Sequence, residues 1–152
     1  MSKKRVVWKK KDYSRDAYIG YMYPEAPSIH WNKIEKMFRY RRGHASVVFQ
    51  DKLWVFGGHL DYKEHARGRF ATNETEILDL KAADLQKAKW QKGPRMPVAL
   101  WGHSVIADEK NQVVIILGGC IDGRGTSDKV FIMDKNHVFH EVGSMRNFRY
   151  YS

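Results

Sequence analysis

A single cysteine, Cys120, is all the thiol chemistry that the 152-residue chain holds. That excludes an intrachain disulfide framework and fits a reducing compartment, cytoplasmic or nuclear. Long apolar runs are missing as well. Val113 to Leu117 is among the longest, far short of the ~20 residues of a membrane-spanning helix, so no membrane role is expected. The N-terminus lacks the apolar stretch of a secretory signal. Asn73-Glu74-Thr75 has the form of a glycosylation acceptor, but without a signal it is discounted. Catalytic signatures are absent too: no Gly-x-Ser-x-Gly elbow, no phosphate loop and no His-Glu-x-x-His. Gly123-Arg124-Gly125 reads as a turn. No catalytic residue, cofactor or metal is therefore expected.

Acidic residues are scarce at one end. Residues 1–42 carry 12 Lys/Arg against 4 Asp/Glu, a net of +8, while the remaining 110 carry 15 against 13, a net of +2. Lys3, Lys4, Arg5, Lys9, Lys10 and Lys11 stand together with no acid among them. Residues 1–15 read as a basic N-terminal arm, either a solvated tail, a nuclear import signal or a contact for an anionic partner. The composition is otherwise that of a globular chain, 43% apolar and 13% aromatic. Its length allows one domain with a real core.

What the chain has in abundance is internal repetition. Gly43-His44-Ala45-Ser46-Val47-Val48-Phe49, followed by Leu53-Trp54-Val55-Phe56-Gly57-Gly58, recurs as Gly102-His103-Ser104-Val105-Ile106-Ala107, then Val113-Val114-Ile115-Ile116-Leu117-Gly118-Gly119. Trp31, Trp90 and Phe139 each precede a methionine (Met37, Met96, Met145) by six residues, and the methionines stand 59 and 49 residues apart. Repeats of about 50 residues with apolar strands running into Gly-Gly mark β-propeller blades. Each repeat resolves into four strands. In the first they are Ala45 to Gln50, Leu53 to Phe56, Glu74 to Leu80 and Lys89 to Lys92, with a polar turn at Asp51-Lys52 and a charged loop from His59 to Thr72. Lys81 to Ala88 has helical propensity for one turn. The second gives Ser104 to Ala107, Val113 to Leu117, Lys129 to Asp134 and Val138 to Val142, with β-branched and aromatic residues where buried strands need them. The glycine pairs suit crowded inner positions where a side chain would meet neighbouring backbone.

The expected organisation is an all-β, incomplete propeller ring. A partial blade of outer strands covers 16–42, with Ala17 to Tyr23, a loop at Pro24, Pro27 and Ser28, and an outer strand Ile29 to Ile34 around Trp31. Two full four-stranded blades follow at 43–95 and 96–145, and 146–152 begins a further repeat. Propellers usually need four to eight blades. The open edges thus invite self-association, completion of the ring by another chain, or membership of a longer protein.

Taken as a set, these residues resemble kelch repeats. The pattern is carried by Trp54-Val55-Phe56-Gly57-Gly58, Ile77-Leu78-Asp79, Trp90 and Met96-Pro97, and again by Ile115-Ile116-Leu117-Gly118-Gly119, Phe131-Ile132-Met133-Asp134 and Phe139. Phe38, where a proline is usual, and Phe139 for Trp depart from it. The resemblance implies a non-enzymatic protein-interaction platform, binding through blade loops on one face, as a scaffold or a ubiquitin-ligase substrate adaptor. Some kelch-type propellers are enzymes acting on sugars, which makes a fragment of such an enzyme the remote alternative.

On that face the loop after Gly57-Gly58 supplies His59, Tyr62, Arg67 and Arg69, and the inter-blade turn supplies Arg39, Arg41 and Arg42. Arginine forks pair bidentately with carboxylates, so an acidic peptide is the expected protein partner. Trp101 and Arg124 hold the equivalent places in the next blade. His44 and His103 occupy identical repeat positions and read as structural, like Trp31, Trp90 and the four paired glycines. His59, His65 and Cys120 could gather on one face, but no recognised ligand spacing supports a metal there. The rival partner is nucleic acid, with the basic arm contacting phosphates and Trp8, Tyr13, Tyr18, Tyr21 and Tyr23 stacking on bases.

Overall fold

The computed structural model describes residues 4–8, 15–23, 26–60, 70–147 and 149, with backbone alone at 4–8, 19–23 and 26–30. Strands are numbered in chain order. A first antiparallel sheet contains β1 (Lys4–Trp8), β2 (Ala17–Tyr23) and β3 (Ala26–Ile34), in that order. The second runs β5 (Ala45–Phe49), β6 (Lys52–Phe56), β9 (Thr75–Asp79) and β10 (Gln91–Lys92). The third runs β11 (Ser104–Asp108), β12 (Val113–Leu117), β15 (Lys129–Met133) and β16 (Phe139–Ser144). Two small sheets cap one end: β4 (Arg41–Arg42) with β7 (His59–Leu60) and β8 (Phe70–Ala71), and β13 (Cys120–Ile121) with β14 (Gly125–Thr126).

Local chemistry sets the turns. Gln50 and Asp51 both adopt positive φ, 50° and 56°, the two-residue turn whose twist matches a hairpin. In the third sheet the Asp108 carboxylate accepts from the Asn111 backbone N–H (3.0 Å) and Nδ2 (2.7 Å), closing a longer turn.

Alternation along β6 then sorts the core. Leu53 and Val55 face the first sheet, packing with Leu78 and Trp90 against Ala17, Ile34 and Met37. Trp54 and Phe56 face the third sheet and meet Val114, Ile116, Phe131 and Met133. Each large apolar side chain sealed this way stabilises the fold by about 1.5–3 kcal/mol. The indole N–H groups are not stranded: Trp90 donates to the Glu35 carbonyl at 2.7 Å and Trp54 to that of Phe49 at 3.3 Å.

The glycine pairs are fixed by the link to the next repeat. The Gly58 N–H donates to the Leu100 carbonyl and Gly119 to Arg149, both at 2.8 Å. A Cβ on Gly57 would lie 2.5 Å from the Leu100 oxygen, and one on Gly118 2.5 Å from that of Arg149. Positive φ values of 55° and 62° add backbone strain for any other residue there. The Cβ atoms of His44 and His103 press against Gly58 and Gly119 of their own repeats, and the His103 ring also reaches Gly57 of the preceding one.

Several expectations are corrected. The first sheet has three strands, because Lys4–Trp8 pairs along β2 instead of lying in a basic arm. Pro27 and Ser28 sit inside β3, in a register shifted by an irregularity at Met22/Tyr23. Lys81 to Ala88 forms turns and no helix, with Asp79 and Asp84 carboxylates capping the Lys81 and Gln86 N–H groups at 2.8 and 3.0 Å. Short polar caps of this kind compete with helix formation. Trp31 is 42% exposed where Trp90 is 4%. Its sheet has no described neighbour on that side, so it takes no part in a sealed core. Lys3, Lys9, Lys10 and Lys11 fall outside the described residues.

Candidate interaction face

Strand direction gathers one family of loops at one end of the sheets. In the second sheet β6 runs out at Gly57-Gly58, β9 begins at Thr75, and β10 ends beside Glu76. The small sheets and Trp101 stand at this same end.

One aspartate ties the loops of two repeats together here. Asp122, from the β13–β14 hairpin, holds His59 Nε2 through Oδ1 at 2.9 Å, and its Oδ2 accepts the Ala71 N–H. It therefore grips both β7 and β8. The His59 ring stacks on Trp101 (centroids 4.5 Å apart, planes 26° apart). Trp101 exchanges two backbone hydrogen bonds with Cys120, at 2.8 and 3.2 Å. Cys120 is thus a buried strand residue rather than part of an exposed loop.

The arginines expected to act together do different things. Arg41 is fully buried. Its guanidinium donates to the Gly57 carbonyl (2.7 Å), the Glu74 carbonyl (3.2 Å) and Glu76 Oε1 (2.5 Å). Glu76 is buried with it, and its second oxygen accepts the Phe38 N–H at 2.7 Å. Arg41 is therefore structural, and a partner cannot reach it. The repeat frame explains the pair: Arg41 matches Leu100, Glu76 matches Phe131, and Phe38 matches Pro97, which has no N–H to satisfy. Arg42 is half-buried, with its backbone paired to His59. Arg39 stays near the surface and meets Glu74 Oε2 at 3.5 Å. Arg124 is exposed at the hairpin tip. Tyr62, Arg67, Arg69 and His65 lie outside the described residues.

Beside Arg39 opens a cleft of about 50 Å3, lined by Phe38, Glu74, Lys92 and Arg95 among others. That is room for a carboxylate group or a few waters. Arg95 approaches Glu74 from the other side at 3.2 Å and bonds Asn73 at 3.1 Å. Two guanidinium groups thus pair with one accessible carboxylate in a cleft that Lys92 also lines, while Glu76 behind it is matched by Arg41. Phe38, 46% exposed, forms an apolar wall.

Asp122, Lys92, Arg95 and Phe38 escape a reading by residue type. Repeat alignment could have flagged Asp122, which matches Asp61, and likewise the burial of Arg41, which stands opposite Leu100. Among the described residues no three His, Cys, Asp or Glu side chains converge to hold a metal.

Residues 40–97 match the family model described as the Kelch motif. A solved structure entitled "Structure of YjhT" superposes with a TM-score of 0.69 at 14% identity, over 88% of this chain and 46% of that one. At such identity the likeness shows the fold alone. The chain spans about half the length of that structure. No curated protein matches the sequence. Residues 40–97 accordingly carry a kelch motif, and the sheets are arranged as blades of a β-propeller, with no ring closed among the described residues.

Proposed function

We propose that the chain is a non-enzymatic protein-interaction module that takes an acidic segment of a partner on its loop face. The observation that carries this reading is the cleft of Phe38, Arg39, Lys92 and Arg95, whose two guanidinium groups pair with a single accessible carboxylate. A partner Asp or Glu entering there meets guanidinium and ammonium donors, and an adjacent apolar side chain packs on Phe38. The cleft's size favours one side chain of a peptide over a small-molecule substrate.

The test is fluorescence anisotropy with a labelled peptide of Asp, Glu and Leu against one with Asn and Gln in place of the acids. The acidic peptide binds, its affinity falls as salt rises past ~0.15 M, and the Lys92→Glu/Arg95→Glu variant loses at least about tenfold. Equal affinity for the neutral peptide, or an unimpaired variant, refutes the reading. Preference for a single-stranded oligonucleotide in the same assay would transfer it to nucleic acid.

A further inference from the structure

The two seams between sheets follow one rule: each sheet's leading face packs on the trailing face of the sheet before it. In the second sheet the trailing row is Val47, Trp54 and Ile77, in register across β5, β6 and β9. It is sealed by the third sheet, with Trp54 wholly buried. The matching row of the third sheet is Ile106, Ile115 and Ile132, in register across β11, β12 and β15. No described residue seals it: Ile106 is 52% exposed, and Val142 on β16 is 54% exposed. The opposite end of the chain shows the converse. Trp90 is buried on the sheet before its own, whereas Trp31, at the same place on the first sheet, is exposed.

We propose that two copies of this chain close head to tail, the trailing face of each third sheet receiving the first sheet of the other. Three observations select a second copy as the occupant. The open row and the exposed tryptophan are the two halves of a seam the chain already builds internally. The chain covers 46% of the matching solved structure, so two copies span a ring of that size, and a head-to-tail contact that closes gives a finite assembly. Charge disfavours the like-to-like alternative at the basic end. Residues 1–42 carry +8, so two first sheets repel, whereas residues 96–152 hold six basic and six acidic residues and present no such barrier.

Sedimentation velocity of the intact chain tests this. The expected species has twice the 17.8 kDa mass of one chain. Ile106→Lys and Trp31→Lys each halve the mass, and mixing the two variants restores a dimer through their one undamaged contact. A wild-type chain that sediments at 17.8 kDa at every concentration overturns the proposal and assigns the row to other sheets of a longer polypeptide. An open polymer overturns ring closure, and failure of the mixed variants to associate overturns the head-to-tail arrangement. Hydrogen exchange on the wild type provides a readout independent of variant folding. Amides of 26–34 and 104–117 gain protection together as concentration rises, and no concentration dependence counts against the contact.

Discussion

Glu76→Ala removes one partner of a buried ion pair and leaves the buried Arg41 guanidinium with two carbonyl acceptors but no counter-charge. Breaking such a pair from one side costs about 3–5 kcal/mol. At roughly 2–4 °C per kcal/mol for a chain of this size, that is a fall of about 6–20 °C in Tm. Arg41→Leu exposes the converse defect, an unmatched Glu76, at similar cost. The neighbouring seam specifies the repair. Leu100, Phe131 and Pro97 stand at the places of Arg41, Glu76 and Phe38, so Arg41→Leu with Glu76→Phe exchanges the pair for apolar packing. Two backbone groups then lose their partners, the Phe38 N–H and the Gly57 carbonyl. Each costs about 1–3 kcal/mol if left unsatisfied. Adding Phe38→Pro removes the orphan donor. The order expected in urea unfolding, followed by tryptophan fluorescence, is wild type, triple variant, double variant, with both single variants lowest. A Glu76→Ala variant within about 0.5 kcal/mol of wild type would refute the reasoning, as would a double variant that merely sums the singles.

Gly118→Ala places a Cβ 2.5 Å from the Arg149 carbonyl at φ 62° and lowers stability by at least about 1–3 kcal/mol; a urea midpoint unchanged from wild type contradicts the close approach. Asp122→Ala releases β7 and β8 from the neighbouring hairpin, and amide exchange at Ala71 accelerates while the global midpoint shifts by about 1–3 kcal/mol. Burial against the Gln50 turn, with Lys52 nearby, lowers the pKa of His137 from 6.5. The unfolded state then takes the proton first, so stability declines as pH drops below the unfolded value and levels off below the folded one. His137→Asn, which tolerates the positive φ of 65°, flattens the part of the pH–stability curve just below the ordinary histidine value; curves of equal slope would exclude His137 as its source.

The blades were legible because their signals are periodic. Alternating apolar residues that run into Gly-Gly reflect steric demands repeated at each link, and β6 and β12 stand where the pattern puts them. The first sheet was harder to read. Trp8 and its basic neighbours look like a tail by composition, yet β1 is held by backbone pairing with β2, which charge does not report. The arginine cluster was misread for a related reason. Residues 39, 41 and 42 share a side-chain type, but the chain bends at Phe38 and Arg39 before β4 begins, so Arg41 lies inward on Glu76 while Arg39 stays near the surface. Repeat alignment marks the position of Asp122 but not its role, because its partners, His59 and Ala71, lie more than 50 residues away and meet it only once two sheets pack.

The peptide binding proposed for this face would depend on how firmly the sheets hold it. Across the seam between the second and third sheets, staples sit at both ends. On the loop side Asp122 grips β7 and β8. On the far side Gln50 donates to Gln112 (3.4 Å) and the Lys135 carbonyl (3.3 Å) and meets His137 Nε2 at 3.0 Å. His137 in turn sets its ring edge against Trp54 at 4.7 Å. Two attachments on opposite sides of an apolar seam resist both sliding and hinging, which a core alone resists less well because apolar contact is non-directional. The first seam is held differently, by Trp90 and Lys89 both bonding Glu35 and by the buried Arg41–Glu76 pair directly behind the cleft. The cleft therefore stands on a fixed floor. Arg41 aligns Glu76, Glu76 fixes the Phe38 backbone, and Phe38 with Arg39 forms one wall. Prior ordering of this kind removes part of the entropy loss that an incoming peptide would otherwise incur. It accounts for a charge being kept at Arg41 where leucine serves the sister repeat: the pair holds the wall that a proline holds next door.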